Sequence, residues 1–483
     1  MRAGARGACG AGGARGVLAV RNYRLFAGGQ LISLTGTWMQ LTAQDWLVLQ
    51  LGGGGVELGA VLAAQFTPVL LLSLWAGVLA DRYDKRRLLL LTQGAGAALS
   101  AVLAVLVATG TISLPLLLLL AALLGCAAAL DTPIRQAFVV ELVGPDLVSA
   151  GVALNSVTFN SARIIGPAVA GVLIASIGTA PVVAGNVASY LAVIAALVAL
   201  RPQELRPVDR VRREPGQLRA GLAHVRHRPD LLLPIVLVGI VGTFGLNFPV
   251  TLPLLARQTF HGTAATYGLL TALVALGSVG GAVLAIRRSS PTPRLVAGGA
   301  LTFGVAEAAA GLMPNLLLTG ILLVVTGATL LTMTTAANAS IQIAAGDAMR
   351  GRVMALYILV FLGGTPVGAP LVGGLVHVAG PRAGLVAGGA ACVVAALYVG
   401  WLLRRGQTVP LPASDGPQFS SQHPASSDAL ATSSTREAAS RSASEAAEPR
   451  SPAASRPASL PTAQAGASLT GTARMPRASW RRT

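Results

Sequence analysis

Asp45, Arg163 and Glu307 are the ionisable residues that stand deepest inside the long apolar stretches of this 483-residue sequence. Because a charge inside an apolar span is costly, each is a candidate for function. Asp45 or Glu307 could accept and release a proton, although Asp45 lies near one end of its stretch and could equally be a solvated carboxylate. Arg163 could act in gating or substrate binding, or could belong to a structural ion pair.

Arg163 also belongs to a stripe of polar and small residues with helical spacing. The stripe comprises Ser156, Asn160, Arg163, Pro167 and Gly171. Intervals of three and four residues place these side chains on one helix face. Gly166 and Gly171 bound a Gly-Pro-Ala-Val-Ala-Gly run whose small side chains would let another helix approach closely. The same Pro-x-x-x-Gly spacing recurs at Pro370 and Gly374.

The elements that must position these residues are apolar blocks of about 20 residues or more, long enough to cross a bilayer as helices. Hydrophobic residues make up 53% of the chain and charged residues only 11%. This composition excludes a soluble enzyme, a disordered chain and a secreted disulfide-rich domain. Twelve such blocks can be counted, so we expect an all-helical membrane protein with twelve transmembrane helices in two halves of six.

The basic residues indicate how these helices are oriented. The formal net charge is +18, and Lys85 is the only lysine beside 35 arginines. Connections on one side of the predicted membrane hold 23 Lys or Arg residues, whereas the other side holds only Arg257 and Arg382. Because basic loops stay in the cytoplasm, both termini are predicted to be cytoplasmic. The arginines lie between apolar blocks, which argues against a nucleic-acid partner.

Composition divides the chain further. A basic, proline-containing stretch separates two sets of six blocks, and the C-terminal residues are rich in Ser, Ala and Pro, which is typical of disorder. The predicted regions are a cytoplasmic N-terminal segment (1–24), a first six-helix half (25–200), a cytoplasmic linker (201–230), a second half (231–405) and a disordered cytoplasmic tail (406–483). Two repeated six-helix halves are typical of a rocking transporter.

The connection between the second and third blocks carries the most specific motif. Residues 77–87 read Gly-Val-Leu-Ala-Asp-Arg-Tyr-Asp-Lys-Arg-Arg. They resemble the signature loop of the major facilitator superfamily, Gly-x-x-x-Asp-Arg-x-Gly-Arg-Arg, although Asp84 stands where that family has glycine. The matching positions are Gly77, Asp81, Arg82, Lys85 and Arg86. The resemblance implies that Asp81 meets the start of span 11, near Arg350, and latches the cytoplasmic side shut.

The same resemblance implies a central cavity lined by spans 1, 4, 7 and 10. Candidate substrate contacts there are Gln40, Asn247 and Asn338. Span 9, which holds Glu307, is usually peripheral in the family. Asp131 and Arg135, at the end of span 4, are four residues apart in the order that favours a local ion pair, although they could also contribute to function.

A second resemblance concerns the branch of the superfamily. Residues 131–138 read Asp-Thr-Pro-Ile-Arg-Gln-Ala-Phe, and Ala-Arg-Ile-Ile-Gly-Pro follows at residues 162–167. Both segments resemble the enterobactin-exporter and macrolide-efflux branch, whose members export siderophores or drugs. The arginine that proton-coupled drug exporters carry in the middle of span 4 is absent here. The resemblance still favours efflux.

These patterns together predict a multi-pass protein of the bacterial plasma membrane that is not an enzyme. We expect it to export amphipathic small molecules by alternating access, with proton antiport, as a monomer. The sequence holds neither a phosphate-binding loop for ATP nor a metal-ligand spacing, so no cofactor or metal is expected. An uptake symporter of the same fold and a membrane sensor or assembly protein that does not transport are the alternatives.

Overall fold

The computed structural model describes residues 13, 15–206, 217–286 and 292–405, without the side chains of residues 73, 74, 77, 81, 217–221, 285, 286, 347 and 348. The expected tail, 406–483, and nearly all of residues 1–14 lie outside the described residues. The described part is almost entirely helical. This follows from the apolar blocks, because a helix satisfies all of its backbone hydrogen bonds internally within a bilayer.

The first half contains six long helices. They are α1 (Arg21–Gln50), α2 (Gly55–Arg82), α3 (Lys85–Ala108), α4 (Leu114–Val143), α5 (Val148–Ile177) and α6 (Thr179–Val198). Short connections join them, so that successive helices run antiparallel. Asp84 caps α3 by accepting a hydrogen bond from the backbone N–H of Arg87 at 2.7 Å, which gives a physical reason for an Asp at the position where the signature loop has glycine.

The second half is less regular. Its helices are α7 (Gln217–Arg226), α8 (Pro229–Ile240), α9 (Phe248–Leu254), α10 (Ala264–Ile286), α11 (Pro293–Leu312), α12 (Leu316–Gly363) and α13 (Thr365–Arg405). Two π-helical turns, Val241–Gly245 and Leu255–Thr259, flank α9. The continuous span expected at 231–255 is therefore interrupted in its middle.

Two glycines bend the longest helices. Gly346 in α12 has φ 68° and Gly380 in α13 has φ 84°, a backbone conformation that glycine adopts without the steric penalty of a side chain. The chain changes direction there without a loop, so blocks expected to be separate become continuous helices.

Ten helical segments of the described chain are long and apolar enough to cross a membrane. The helix α1 is not among them; it carries several polar residues, including Gln30, Gln40 and Asp45. The last of the ten, Met349–Arg405, has 57 residues and contains the bend at Gly380. The expected twelve helices therefore correspond to ten such segments, one polar helix and one bend.

Helix pairs within each half form the bulk of the packing. In the first half α1 packs on α6, α2 on α4 and α3 on α6, and in the second half α11 packs on α13, α10 on α12 and α11 on α12. Contact between the halves runs mainly through two helix pairs, α2 with α13 and α5 with α10, with smaller contacts of α9 on α1 and α2 and of α12 on α2. These two pairs determine where a path between the halves is open or closed.

Candidate functional site

The pair α2 and α13 closes one end of the bundle by contact between backbones. A Cβ on Gly373 would lie 2.3 Å from the carbonyl oxygen of Gly55, and a Cβ on Gly59 would lie 2.5 Å from that of Ala369. No side chain fits between helices at this separation. We call these contacts, together with those of α5 and α10 at the same end, the seam.

The pair α5 and α10 forms the other part of the seam. A Cβ on Gly171 would lie 2.7 Å from the carbonyl oxygen of Ala264, and one on Gly268 would lie 2.4 Å from that of Pro167. The Gly-Pro-Ala-Val-Ala-Gly run therefore lies against a helix of the other half. At Pro370 and Gly374 the equivalent contact falls one residue away, on Ala369 and Gly373, because a Cβ on Gly374 would meet nothing within 4 Å.

Two hydrogen bonds cross the seam between polar groups. The hydroxyl of Tyr267 on α10 donates to Oδ2 of Asp45 on α1 at 2.6 Å, and the guanidinium of Arg257 donates to the carbonyl of Leu49. Asp45 is only 7% exposed. The sequence left open whether Asp45 is solvated or partly buried. In the structure its carboxylate is buried and joins the two halves.

Away from the seam, a cavity of about 590 Å³ opens beside the bend of α12 at Gly346. Its lining is mixed: Leu331, Thr334, Thr335, Asn338, Ala339, Gln342, Ile343, Arg350 and Tyr357. Nε2 of Gln342 donates to Oδ1 of Asn338, and the Tyr357 hydroxyl lies 3.5 Å from the Thr334 carbonyl oxygen. Of the three candidate substrate contacts, Asn338 lines this cavity.

The other two contacts are held by local bonds. Oε1 of Gln40 accepts a hydrogen bond from Asn186 on α6 at 2.8 Å, inside the first half. The Asn247 amide donates to the carbonyls of Thr243 and Phe244 in the π-helical turn just before it, at 2.8 and 3.1 Å. Both side chains are buried and neither lines the cavity, so their contact with substrate stays a prediction.

Glu307 is buried inside the second half. It is 2% exposed, and its Oε2 has no hydrogen-bond partner among the described residues. Gly388 of α13 lies beside this carboxyl group. A Cβ built on Gly388 would lie 3.3 Å from Oε1 of Glu307 and 2.6 Å from the carbonyl oxygen of Phe244. The carboxyl group therefore sits beside the interrupted helix of span 7.

Arg163 is the sixteenth of the 30 residues of α5. It is partly exposed, and no described residue pairs with its guanidinium. One turn further along the helix, Gly166 packs against Trp38 of α1 and Pro167 against Gly268 of α10. Arg163 therefore lies one helical turn before the seam, toward the middle of α5.

Asp131 is held by three groups and is the eighteenth of the 30 residues of α4, because the helix continues to Val143 instead of ending near Asp131 as expected. Nε of Arg135 lies 3.2 Å from Oδ2, while Thr92 and Gln93 donate to Oδ1 at 3.0 and 2.7 Å. The two α3 residues were not anticipated from the sequence, because only the four-residue spacing of Asp131 and Arg135 was visible there. The hydrogen bonds from Thr92 and Gln93 to Asp131 link α3 with α4.

The signature loop is anchored by its basic residues. Nζ of Lys85 lies 2.6 Å from Oε1 of Glu141 on α4, and Arg86 donates to the carbonyls of Leu197 and Val198 at the end of α6. The side chain of Asp81 and the surroundings of Gly77 lie outside the described part of the chain, so the contact expected between Asp81 and span 11 stays a prediction. Among the described residues, no group of His, Cys, Asp or Glu is arranged to hold a metal ion.

Asp131→Asn should destabilise the protein by about 3 kcal/mol, because it leaves the largely buried Arg135 charge without its counter-charge. The side chains of the pair are 14% and 8% exposed. The measurement is thermal unfolding of purified protein in detergent. Glu204→Gln is the matched control: its pair with Arg201 is 42% and 60% exposed, so a change within about 0.5 kcal/mol is expected. Equal stability losses in the two variants would contradict the argument.

Sequence comparison places this arrangement in a family. The model of the family described as transmembrane secretion effector, within the major facilitator superfamily, matches residues 17–433. The chain belongs to this family. It is a transporter of the efflux branch and a multi-pass protein of the plasma membrane, as the sequence motifs predicted.

Three relatives illustrate the range of the family. The chain is 29% identical to the staphyloferrin A transporter of Staphylococcus aureus over 53% of this chain and 64% of that protein, somewhat less than two thirds of its length. It is 27% identical to the multidrug efflux pump Tap of Mycobacterium tuberculosis over 74% and 87% of the two chains. Identity to the enterobactin exporter of Citrobacter koseri is 31% over 70% and 82%.

Solved structures share the fold. A bacterial homologue of the human lysosomal transporter Spinster, in an inward-facing and occupied conformation, superposes with a TM-score of 0.64 at 16% identity, covering 80% of this chain and 97% of that one. The nucleoside transporter NupG gives 0.63 at 12% identity, covering 80% and 99%. At such identities the likeness concerns the fold alone.

Proposed function

We propose that this protein exports amphipathic small molecules of the drug or siderophore class by alternating access, driven by proton antiport. The observation that carries the proposal is the asymmetry between the two ends of the helices. Backbone contacts and the Tyr267–Asp45 hydrogen bond hold the halves together at the seam, while a cavity of mixed polar and apolar lining opens beside α12, away from it. A rocking transporter alternates between such an arrangement and its inverse.

The topology that we propose has twelve crossings and cytoplasmic termini. The ten apolar segments give ten crossings, α1 adds one, and the bend at Gly380 divides the last segment into two. This orientation puts the 23 basic residues of the loops inside and places the seam at the outer face. The conformation described is then open to the cytoplasm, which is where an exporter loads its substrate.

Asp45 and Glu307 are the candidates that we propose for proton coupling. The position of Asp45 suits this role, because its carboxylate joins the two halves. A proton bound there would change the strength of its hydrogen bond with Tyr267 and so the stability of the seam. Glu307 supports it by burial and by an oxygen without a hydrogen-bond partner. A buried carboxylate with open acceptor sites is suited to take up a proton.

The latch that we propose for the inner face is Asp81. In the outward-open state its carboxylate would meet the start of span 11, where unpaired backbone N–H groups favour a negative charge. Asp81→Asn should then slow export severalfold at a normal level of membrane insertion, measured as dye efflux from cells with equal amounts of protein. Full activity of the variant would remove the latch from the mechanism.

The function as a whole is tested by a panel of dyes, drugs and siderophores in a bacterial host that lacks its own efflux pumps. Expression should lower the intracellular retention of at least one compound, and dissipating the proton gradient should restore that retention. Higher retention on expression would instead identify an uptake carrier. Unchanged retention across the whole panel would contradict transport of this substrate class.

A further inference from the structure

Arg163 has the environment of a binding group rather than that of a packing group. It lies halfway along α5, and the described carboxylates of the spans are engaged elsewhere or distant from it. Asp45 accepts from Tyr267, Asp131 pairs with Arg135, and Glu307 lies in the other half between α11 and α13. No described acid neutralises the guanidinium.

An unneutralised arginine at this depth requires a counter-group or water. A guanidinium does not lose its proton in proteins, so it cannot escape the cost of burial by becoming neutral. An uncompensated charge inside a span destabilises the protein. Arg163 is, however, partly exposed and stands on the face of α5 that meets α10 one turn further on, so its charge is accessible to water or to a ligand.

Two aromatic side chains lie near the charge. Phe159, one turn from Arg163 on the same helix, is 37% exposed. Its ring packs edge to face against that of Trp38 on α1, with 5.9 Å between the ring centroids. A compound with an anionic group and an apolar or aromatic body would satisfy the guanidinium and cover both rings at once.

We propose that this exporter carries organic anions, and that Arg163 binds the carboxylate or comparable oxyanion of the substrate while Phe159 and Trp38 contact its apolar body. The inference rests on the proposed export function and assigns the chemical class of its substrate. Arg163 is at the middle of α5, one turn from the contacts that α5 makes with α10 of the other half, so a group bound there would lie close to the moving boundary as the halves rock.

The test uses matched pairs of fluorescent compounds that differ by one charge. Each pair is an aromatic carboxylic acid that is an anion at neutral pH, such as pyrenebutyric acid, and its uncharged ethyl ester. Export by full-length protein is measured in inverted membrane vesicles, with the half-saturating concentration and the maximal rate determined separately. For wild-type protein we expect export of the acids. Arg163→Gln should raise the half-saturating concentration for the acids at least tenfold and leave any ester that is carried within twofold.

Two further variants separate binding from folding. Arg163→Lys keeps the charge but loses the planar two-point fit to a carboxylate, so it should restore part of the affinity for acids. Arg201→Gln removes an exposed arginine outside the cavity and should behave as wild type. Equal loss of acids and esters in both Arg163 variants would show a structural role and overturn the proposal.

Transport by the wild-type protein alone distinguishes failure of the anion site from failure of the export function. Export of esters but of no acid would overturn the anion site while leaving the exporter intact. Export of no member of any pair, together with no effect on the wider compound panel, would contradict the transport function itself. Unchanged affinity for acids in Arg163→Gln would likewise refute the site.

Discussion

Replacing Gly373 by alanine should reduce export at least tenfold while leaving the amount of protein in the membrane unchanged. The added methyl group would lie 2.3 Å from the carbonyl oxygen of Gly55 and 3.4 Å from the Cα of Gly59. Since both are backbone atoms, no side-chain rotation can relieve the clash, and α2 and α13 must separate. The outer end would then fail to close, and a transporter that cannot close one end cannot alternate.

The adjacent residue provides a matched control. Gly374→Ala makes the same chemical change at the next position of the same helix, where a Cβ would meet nothing within 4 Å. The two variants should have equal intrinsic helix propensity, and only Gly373→Ala should impair efflux of a transported dye at equal expression. Similar activity of the two variants would show that close contact at the seam is not required for transport.

The overall fold could be predicted because its determinants are local. Blocks of about 20 apolar residues must become helices in a bilayer, and short connections make them antiparallel. The departures from the expected helices arise where the sequence signal is weak. Gly346 and Gly380 bend helices without a polar loop, and no hydropathy pattern distinguishes such a glycine from the many others in the spans.

The site could be predicted only as single residues. Asp45, Arg163 and Glu307 stood out because a charge in an apolar block is rare. Their partners did not, because Tyr267 is 222 residues from Asp45 and looks like any other interfacial tyrosine. Gln40 shows what the sequence leaves open: a polar residue in span 1 is expected to face substrate, and the structure adds that Asn186 on α6 donates to its side chain within the first half.

The repeated motif shows how far spacing can be trusted. Pro-x-x-x-Gly at Pro167 and Gly171 does mark the helix face that meets the other half. At Pro370 and Gly374 the same spacing is offset by one residue, about 100° around the helix, so the face in contact contains Gly373 instead. Spacing thus located the correct turn of the helix, and only the packing of α2 determined which glycine is essential.

Asp45→Asn and Tyr267→Phe together should separate proton coupling from closure of the seam. Asparagine still offers an oxygen that can accept from the Tyr267 hydroxyl, so Asp45→Asn keeps the bridge but cannot exchange a proton. We expect export driven by a pH gradient to fall at least tenfold, while exchange of labelled for unlabelled substrate across proteoliposomes without a gradient stays within about twofold.

Tyr267→Phe makes the complementary change, because it leaves the Asp45 carboxylate in place and removes the donor. A hydrogen bond to a charged group is worth about 1.5–3 kcal/mol. Its loss should raise the fraction of molecules with an open seam about tenfold or more. A cysteine placed at Met39, on the inner side of the seam, in a background without the three native cysteines reports this opening. A membrane-impermeant thiol reagent added from outside should label it faster than in the Tyr267 parent.

The pattern across the two variants decides what Asp45 does. If Asp45→Asn retains full export driven by the pH gradient, the proton is carried elsewhere, and Glu307 becomes the remaining one of the two proposed proton carriers. If Tyr267→Phe leaves labelling at Met39 unchanged, the glycine contacts alone hold the seam closed. Loss of exchange in both variants would mean that the bridge stabilises the fold rather than the cycle, because exchange needs the moving halves but no proton.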